Sequence, residues 1–303
     1  MRRKFFTLDV FTDAALAGNP LAVVLDADDL EGPRMQAIAR EFNLSETVFV
    51  LSPRNPLNTA RIRIFTPGRE LPFAGHPTVG TAVLLGQLRA PELLAREDIA
   101  VAIEEEVGLV ACTVRHLPGE APRASFALPR LPQQIGAAAP VADIAAALSL
   151  SPDDIGFDDH VPTLFSAGVG FTFVPLRSRA AVARAKPDPA RWAGAIGPAD
   201  HANAFVYTRE VSRSGSQFHA RMFAPEMGVM EDPATGSAVA AFAGVVMAFD
   251  RPADGDHTIR VEQGFEMGRP SLITLGLDVA GGALVSASIG GHAVIVQQGT
   301  IDV

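Results

Sequence analysis

Two stretches decide how this chain is read: PFAGHPTVGTAV at residues 72–83 and MEDPATGSAV at residues 230–239. His76-Pro77-x-x-Gly80-Thr81-Ala82-Val83 aligns with Asp232-Pro233-x-x-Gly236-Ser237-Ala238-Val239 at a constant offset of 156 residues. Upstream of each, ARIRIFTP (60–67) resembles FHARMFAP (218–225), so that Arg63-x-Phe65-x-Pro67 matches Arg221-x-Phe223-x-Pro225. Strand, loop, polar-Pro pair and apolar helix occur twice in the same order, which points to two copies of one supersecondary design. Two copies do not make a solenoid, and two facing domains are expected.

The two helices after these motifs, TVGTAVLLGQL and GSAVAAFAGVVMAF, are apolar on nearly every side. A helix without a polar face belongs inside something, and both are shorter than the roughly 18–20 apolar residues a membrane span needs. Each domain is therefore expected to wrap strands around one central helix. Residues 4–12 and 20–25 read as strands, joined by the turn-rich AALAGNP. Residues 33–42 read as a helix that opens with Pro33 and carries Met35, Ile38, Ala39 and Phe42 at helical spacing. ETVFVL, RIRIF, GFTFVPL, AFVYT and FHARMFA read as strands, and the tail 283–303 as a hairpin. The Pro-rich stretch 115–134 is the candidate linker. The boundary is placed at 122/123, giving domains of 1–122 and 123–287.

A chain of 303 residues that is 48% hydrophobic and 19% charged has the means to build two cores. Its net charge of −9 and the lack of a Lys/Arg cluster argue against a nucleic-acid partner. The basic opening MRRK runs into strand-like sequence rather than an apolar signal core. No membrane association is expected, and the expected location is the cytoplasm. The single cysteine, Cys112, excludes an intrachain disulfide and reads as strand packing. No metal-binding or nucleotide-binding motif is present, and no metal or cofactor is expected. His116, His160, His201, His219, His257 and His292 lack ligand spacing and read as structural or exposed. The acid run IEEEVG reads as a solvated strand end, and Trp192 and Tyr207 stand alone, without a stacking platform.

Asp232-Pro233 reads as a helix start, with Asp as N-cap and Pro at the first helical position. His76 is a poor cap, so its place at the tip of a buried helix suggests recognition or chemistry. Helix N-termini attract anions. Gly75 permits close backbone approach, while Gly236 and Ser237 offer an N–H and a hydroxyl. In an acidic protein such an anion site suits a small carboxylate. Glu46, in NLSETVFV (43–50), begins a strand after a helix and a short loop. In a desolvated cleft its carboxyl would suit proton donation and acceptance near neutral pH. A pair of plain helix caps and a solvated glutamate is the competing reading.

AGNPLAVVL, SETVFV, RIFTPGRELPFAGHPTVGTA and MEDPATGSA together resemble the PhzF-like phenazine-biosynthesis family, whose fold is shared with diaminopimelate epimerase. The resemblance implies an α+β protein of two pseudo-symmetric domains, each a curled sheet or barrel around a central apolar helix, with the active site between them. It implies that the last strands, 288–303, return to the first domain, and that the chain forms a homodimer. By the same resemblance the activity is a cofactor-free isomerisation, in which Glu46 moves a proton between carbons of a cyclic carboxylate. His76 and Asp232 join Glu46 as catalytic residues, and Ser45, Gly75, Gly236 and Ser237 bind substrate. Neither motif contains cysteine, so the two-thiol racemisation of the related epimerase is excluded. The alternative is a non-catalytic protein that senses a small carboxylate in the same cleft. An anion-binding site has no use for Glu46, which favours the enzyme.

Overall fold

In the computed structural model, which describes residues 2–197 and 202–303, the chain divides into two compact units. The first comprises Met1–Ala127 and Gly290–Val303, the second Leu128–Ile289. Met1 of the basic opening and His201 lie outside the described residues.

The first unit opens with β1 (Arg2–Val10) and β2 (Asn19–Val24), an antiparallel pair. Helix α1 (Gly32–Phe42) leads to β3 (Glu46–Leu51), which lies parallel to β2. β4 (Ala60–Phe65) runs antiparallel to β3 and carries the two-residue β5 (Glu70–Leu71). Helices α2 (Gly75–Arg89) and α3 (Pro91–Leu94) precede β6 (Ile99–Glu105), which pairs parallel with β4. β7 (Gly108–Arg115) and β8 (Arg123–Ala127) complete an antiparallel run. Met35, Ile38 and Ala39 of α1 pack on Val24, Phe49 and Phe65.

The second unit repeats this scheme. It contains β9 (Gln133–Gly136), α4 (Val141–Ala147), β10 (Thr163–Ser166), β11 (Gly170–Pro175), α5 (Arg179–Arg184) and α6 (Pro189–Ala195). There follow β12 (Ala204–Thr208), β13 (Phe218–Ala224), β14 (Val229–Asp232), α7 (Gly236–Phe249), β15 (Gly255–Gln263) and β16 (Ser271–Ala280). β11 and β12 are parallel, β12 and β13 antiparallel, β13 and β15 parallel, and β15 and β16 antiparallel. The order of pairings is that of β2, β3, β4, β6 and β7. The duplicated arginines also do one job twice. Arg63 makes a bidentate pair with Glu70 at 2.6 and 2.7 Å and lies over the Phe65 ring. Arg221 pairs with Glu231 at 2.8 and 2.8 Å and lies over Phe223. Planar fork-to-carboxylate geometry fixes the short strand against its neighbour in each unit.

Helix α2 is buried along residues 75–86, and α7 at Gly236 and from Ala238 to Val246. In the first unit α2 touches β1, β2, β3, β6, β7 and β8. Gly80 is required here, because a Cβ would lie 2.7 Å from both Leu21 and Val10 side-chain atoms. The other central helix packs on β9, β10, β11 and β16.

The tail is a single 20-residue strand, β17 (Ala283–Asp302), and not a hairpin. The second crossing between the units falls within it, at Ile289/Gly290. Its second part pairs with β1 from Val10↔Ala293 to Arg2↔Asp302, and it also pairs with β8, closing the sheet of the first unit into a barrel. Gly290 serves close approach, since a Cβ there would lie 2.8 Å from Ser125 Cβ and 2.9 Å from the Ala124 carbonyl. The linker candidate 115–134 contains the first crossing between the units, at Ala127/Leu128, and it also holds β8, whose Ala124 and Phe126 are buried. Its prolines flank that strand without interrupting it.

Other expectations also change. The acid run is not uniformly solvated. Glu104 accepts the Arg54 and Asn55 N–H groups, each at 2.8 Å, and Glu105 is buried. Tyr207 is buried among Phe157, Phe218 and Phe242, in an interior aromatic cluster. Cys112 is a buried residue of β7, and its thiol is pushed up to about 12 by burial and by the nearby Glu105. Among the described residues no helix is long and apolar enough to cross a membrane.

Gly290→Val is expected to destabilise the chain by about 1–3 kcal/mol, the usual range for overpacking. A lowered midpoint in chemical denaturation is the check, with Gly282→Val, where a Cβ meets nothing within 4 Å but the φ of +72° is strained, showing what backbone strain alone does.

Candidate active site

The first unit brings Glu46 and His76 together. The turn between β1 and β2 is tightly specified: Gly18 has a φ of +64°, and Asp9 Oδ2 accepts the Leu16 N–H at 2.6 Å. A Cβ on Gly18 would lie 2.5 Å from the Thr12 methyl. This turn delivers Asn19 and Pro20 to the start of β2. Helix α1 ends at Asn43, in the left-handed region with φ 50°, and β3 begins at Glu46. The parallel register Leu21↔Glu46 then sets that carboxyl beside the residue following Pro20. His76 comes from the first turn of α2. It is not a cap, because the helix starts at Gly75 with Ala74 as its uncapped N-cap residue.

The His76 ring is only 5% exposed, and its Nε2 lies 3.3 Å from Glu46 Oε2. Burial depresses its pKa to about 3, opposed by a hydrogen bond to the Pro20 carbonyl. His76 is therefore neutral at pH 7. Nε2 makes no geometrically complete hydrogen bond, so the N–H that serves Pro20 is Nδ1. That assignment leaves a lone pair on Nε2, the ring nitrogen near the Glu46 carboxyl. Two acceptors face each other, and the contact becomes favourable when the Glu46 carboxyl carries a proton. Gly75 directly precedes His76 and is buried; Ser45 directly precedes Glu46 and is half-buried.

In the second unit Asp232 is also not a helix cap. It ends strand β14, and α7 starts four residues later, at Gly236, with Thr235 as N-cap residue. The equal spacing in sequence thus falls on unequal places: Gly80 lies well inside α2, whereas Gly236 opens α7. Asp232 is buried and accepts the Thr235 hydroxyl at 2.5 Å. Gly236 and Ser237 occupy the first turn of α7. The turn is held by Gln263 of β15, a residue that no motif marked. Its Nε2 donates to the Asp232 carbonyl at 2.7 Å and to Thr235 Oγ1 at 3.0 Å, while its Oε1 accepts the Thr235 N–H at 3.1 Å. Gln263 is fully buried. The available signal was its place beside Glu262 at the end of an otherwise alternating strand.

Next to Gln263, Glu262 approaches His219 at 3.0 Å, and Glu266 approaches the other ring nitrogen at 2.9 Å. Burial lowers the His219 pKa, but the hydrogen bonds and charges of the two carboxylates outweigh it and the net shift is upward. His160 is likewise structural, between the Tyr207 hydroxyl and Asp250, each at 2.9 Å. Among the described residues no group of three or more His, Cys, Asp or Glu side chains could hold a metal ion.

Known proteins are similar to this chain over nearly its full length. The profile of the PhzC-PhzF family, described as phenazine biosynthesis-like protein, matches residues 8–299. An uncharacterized isomerase of Mesorhizobium japonicum is 49% identical, over 99% of this chain and 98% of its own. The trans-2,3-dihydro-3-hydroxyanthranilate isomerase of Pseudomonas chlororaphis is 35% identical, over 98% of each chain. Among solved structures, the PhzF-family phenazine biosynthesis protein of Bacillus anthracis matches with a TM-score of 0.88 at 27% identity, over 100% of both chains. The α+β fold expected from the motifs, strands curled about central helices, is the fold of these proteins.

Two measurements test the site's construction. The native His76 pKa of about 3 lies below the unfolded value of roughly 6.5. Between these values the unfolded chain binds the extra proton, so stability falls as pH drops through that window. Thermal midpoints from pH 4 to 7 should show a shallower slope for His76→Gln than for the wild type. Gln263→Leu leaves the buried Thr235 N–H unpaired and should cost about 1–3 kcal/mol, read from denaturant unfolding.

Proposed function

The chain belongs to the phenazine biosynthesis-like family and is an isomerase; from that premise we propose that it moves a proton within a small carboxylate-bearing substrate, with Glu46 as general base and then general acid. The observation that carries this reading is the 3.3 Å approach of Glu46 Oε2 to the Nε2 of a neutral His76. A carboxylate that takes a proton from an activated C–H becomes a carboxylic acid. The His76 lone pair is then a ready acceptor for that acid's O–H, so the pair stabilises the state in which the enzyme holds the substrate's proton. Returning the proton to a different carbon completes an isomerisation. The step is redox-neutral and conserves atoms, so the chemistry requires neither an electron carrier nor a group carrier.

The substrate class follows from the relative that acts on trans-2,3-dihydro-3-hydroxyanthranilate, a cyclic carboxylate. Gly75 is proposed to donate its backbone N–H to the substrate carboxylate, helped by the partial positive charge of the uncapped α2 N-terminus. Asp232, held by Thr235 and Gln263, is proposed to orient substrate polar groups. Gly236 and Ser237 at the start of α7, and Ser45 beside Glu46, are proposed as further binding groups.

Glu46→Gln is the decisive variant. With trans-2,3-dihydro-3-hydroxyanthranilate or a related cyclic acid, turnover should fall by at least roughly 10²–10⁴, with substrate binding retained by calorimetry. Proton NMR in deuterated buffer should show deuterium entering a substrate carbon in the wild type alone. Full turnover by Glu46→Gln would remove Glu46 from the role.

A further inference from the structure

Glu105, the buried acid at the end of β6, is not used by the proposed reaction. Its Oε1 lies 2.7 Å from Thr78 Oγ1, and the same hydroxyl lies 2.8 Å from the Ala74 carbonyl oxygen. A carbonyl brings no proton to a hydrogen bond, and a hydroxyl brings one. The Thr78 proton therefore occupies the contact with Ala74. The 2.7 Å contact with Glu105 is then completed by a proton on Glu105, which donates to Thr78. The second carboxyl oxygen, Oε2, is buried and has no hydrogen-bond partner among the described residues. An unpartnered oxygen is tolerable on a neutral acid and expensive on a carboxylate.

The chain of donors ends at a peptide with a place in the site. Ala74 is the N-cap residue of α2, and its carbonyl shares a planar trans peptide with the Gly75 N–H. Those two groups point in opposite directions. Drawing the Ala74 carbonyl toward Thr78 therefore aims the Gly75 N–H away from it, out of the helix end. We propose that protonated Glu105 is a positioning residue: through Thr78 and the Ala74 carbonyl it holds the Gly75 N–H in the orientation that receives the substrate carboxylate. This inference rests on the reading of Gly75 as a substrate-binding donor.

The surroundings of Glu105 agree with a neutral acid. Burial pushes it up to about 8, and would do so even against a Thr78 hydroxyl donating to the carboxylate. Cys112, inward-facing on β7, is the titratable group on that strand beside it and is itself pushed up to about 12. Glu104, the neighbour on β6, is engaged by the 54–58 loop. At the α2 tip, His76 on the helix and Glu46 on β3 are the titratable groups in contact among the described residues.

Amide NMR of the full chain between pH 6 and 10 tests the relay without any ligand or turnover, so its outcome is independent of the reaction assay. The Gly75 amide should shift in one step with a midpoint near 8, coincident with the Glu105 side-chain carboxyl carbon. The step should vanish in Glu105→Gln. It should also vanish in Thr78→Val, where the Glu105 carbon still titrates, and return in Thr78→Ser. It should persist in Glu46→Gln. If Glu105→Gln fails to fold, the two Thr78 variants decide. A Gly75 amide that is silent in the wild type, that still responds without the Thr78 hydroxyl, or that loses its response in Glu46→Gln overturns the proposal.

Discussion

Helix α2 is buried from Gly75 to Gly86, and the state of the groups at its tip follows from that constraint. A surface helix would let His76 titrate near its ordinary pKa and would let solvent satisfy the ring. Enclosed by β1, β2, β3, β6, β7 and β8, the ring is desolvated, neutral and confined to one tautomer by the Pro20 carbonyl. Burial selects the protonation state, and the backbone selects which nitrogen keeps its lone pair. Glu46 then meets an acceptor instead of a competing positive charge, which suits the proton-carrying role proposed for its carboxyl.

The two units show how one design carries two different roles. The bidentate pairs of Arg63 with Glu70 and Arg221 with Glu231 occupy equivalent places, as do the parallel and antiparallel pairings around them. These parts build the frame, and they repeat. The residues proposed to meet substrate do not. His76 lies within the first helical turn, while Asp232 lies at a strand end four residues before its helix. A loop that stops short of the helix needs its own support, and Thr235 and Gln263 supply it.

Buried polar residues brace the turn that carries Asp232 and the strands beside it. Gln263 makes hydrogen bonds to both ends of the Asp232–Thr235 turn, and His219 joins the adjacent Glu262 to Glu266. Each is buried and fully engaged, as an interior group must be when water is not available to it. In the first unit Glu105 and Thr78 stand in the same relation to the α2 tip.

Local pattern determined a good deal. The repeated Arg-x-Phe-x-Pro and Pro-x-x-Gly stretches, the two helices without polar faces and the alternating strands were enough to specify two similar units around central helices, and the family resemblance they carry nominated Glu46, His76 and Asp232. Alternation and helical spacing register which face of an element is apolar, and that property belongs to the chain before it folds. Tertiary structure decided what depends on neighbours distant in sequence. The tail looked like a hairpin, yet it is one strand in which Gly290 lets β8 pass closely. Glu105 looked like one of three solvated acids, yet it alone turns inward beneath a helix. Asp232 looked like a cap because Asp-Pro so often is one, but the backbone there remains in a strand. Whether a polar group meets water or another chain segment is settled only by closure of the sheet. For that reason the proton state of His76, the isolation of Glu105 and the bracing of Asp232 appear only in the folded protein.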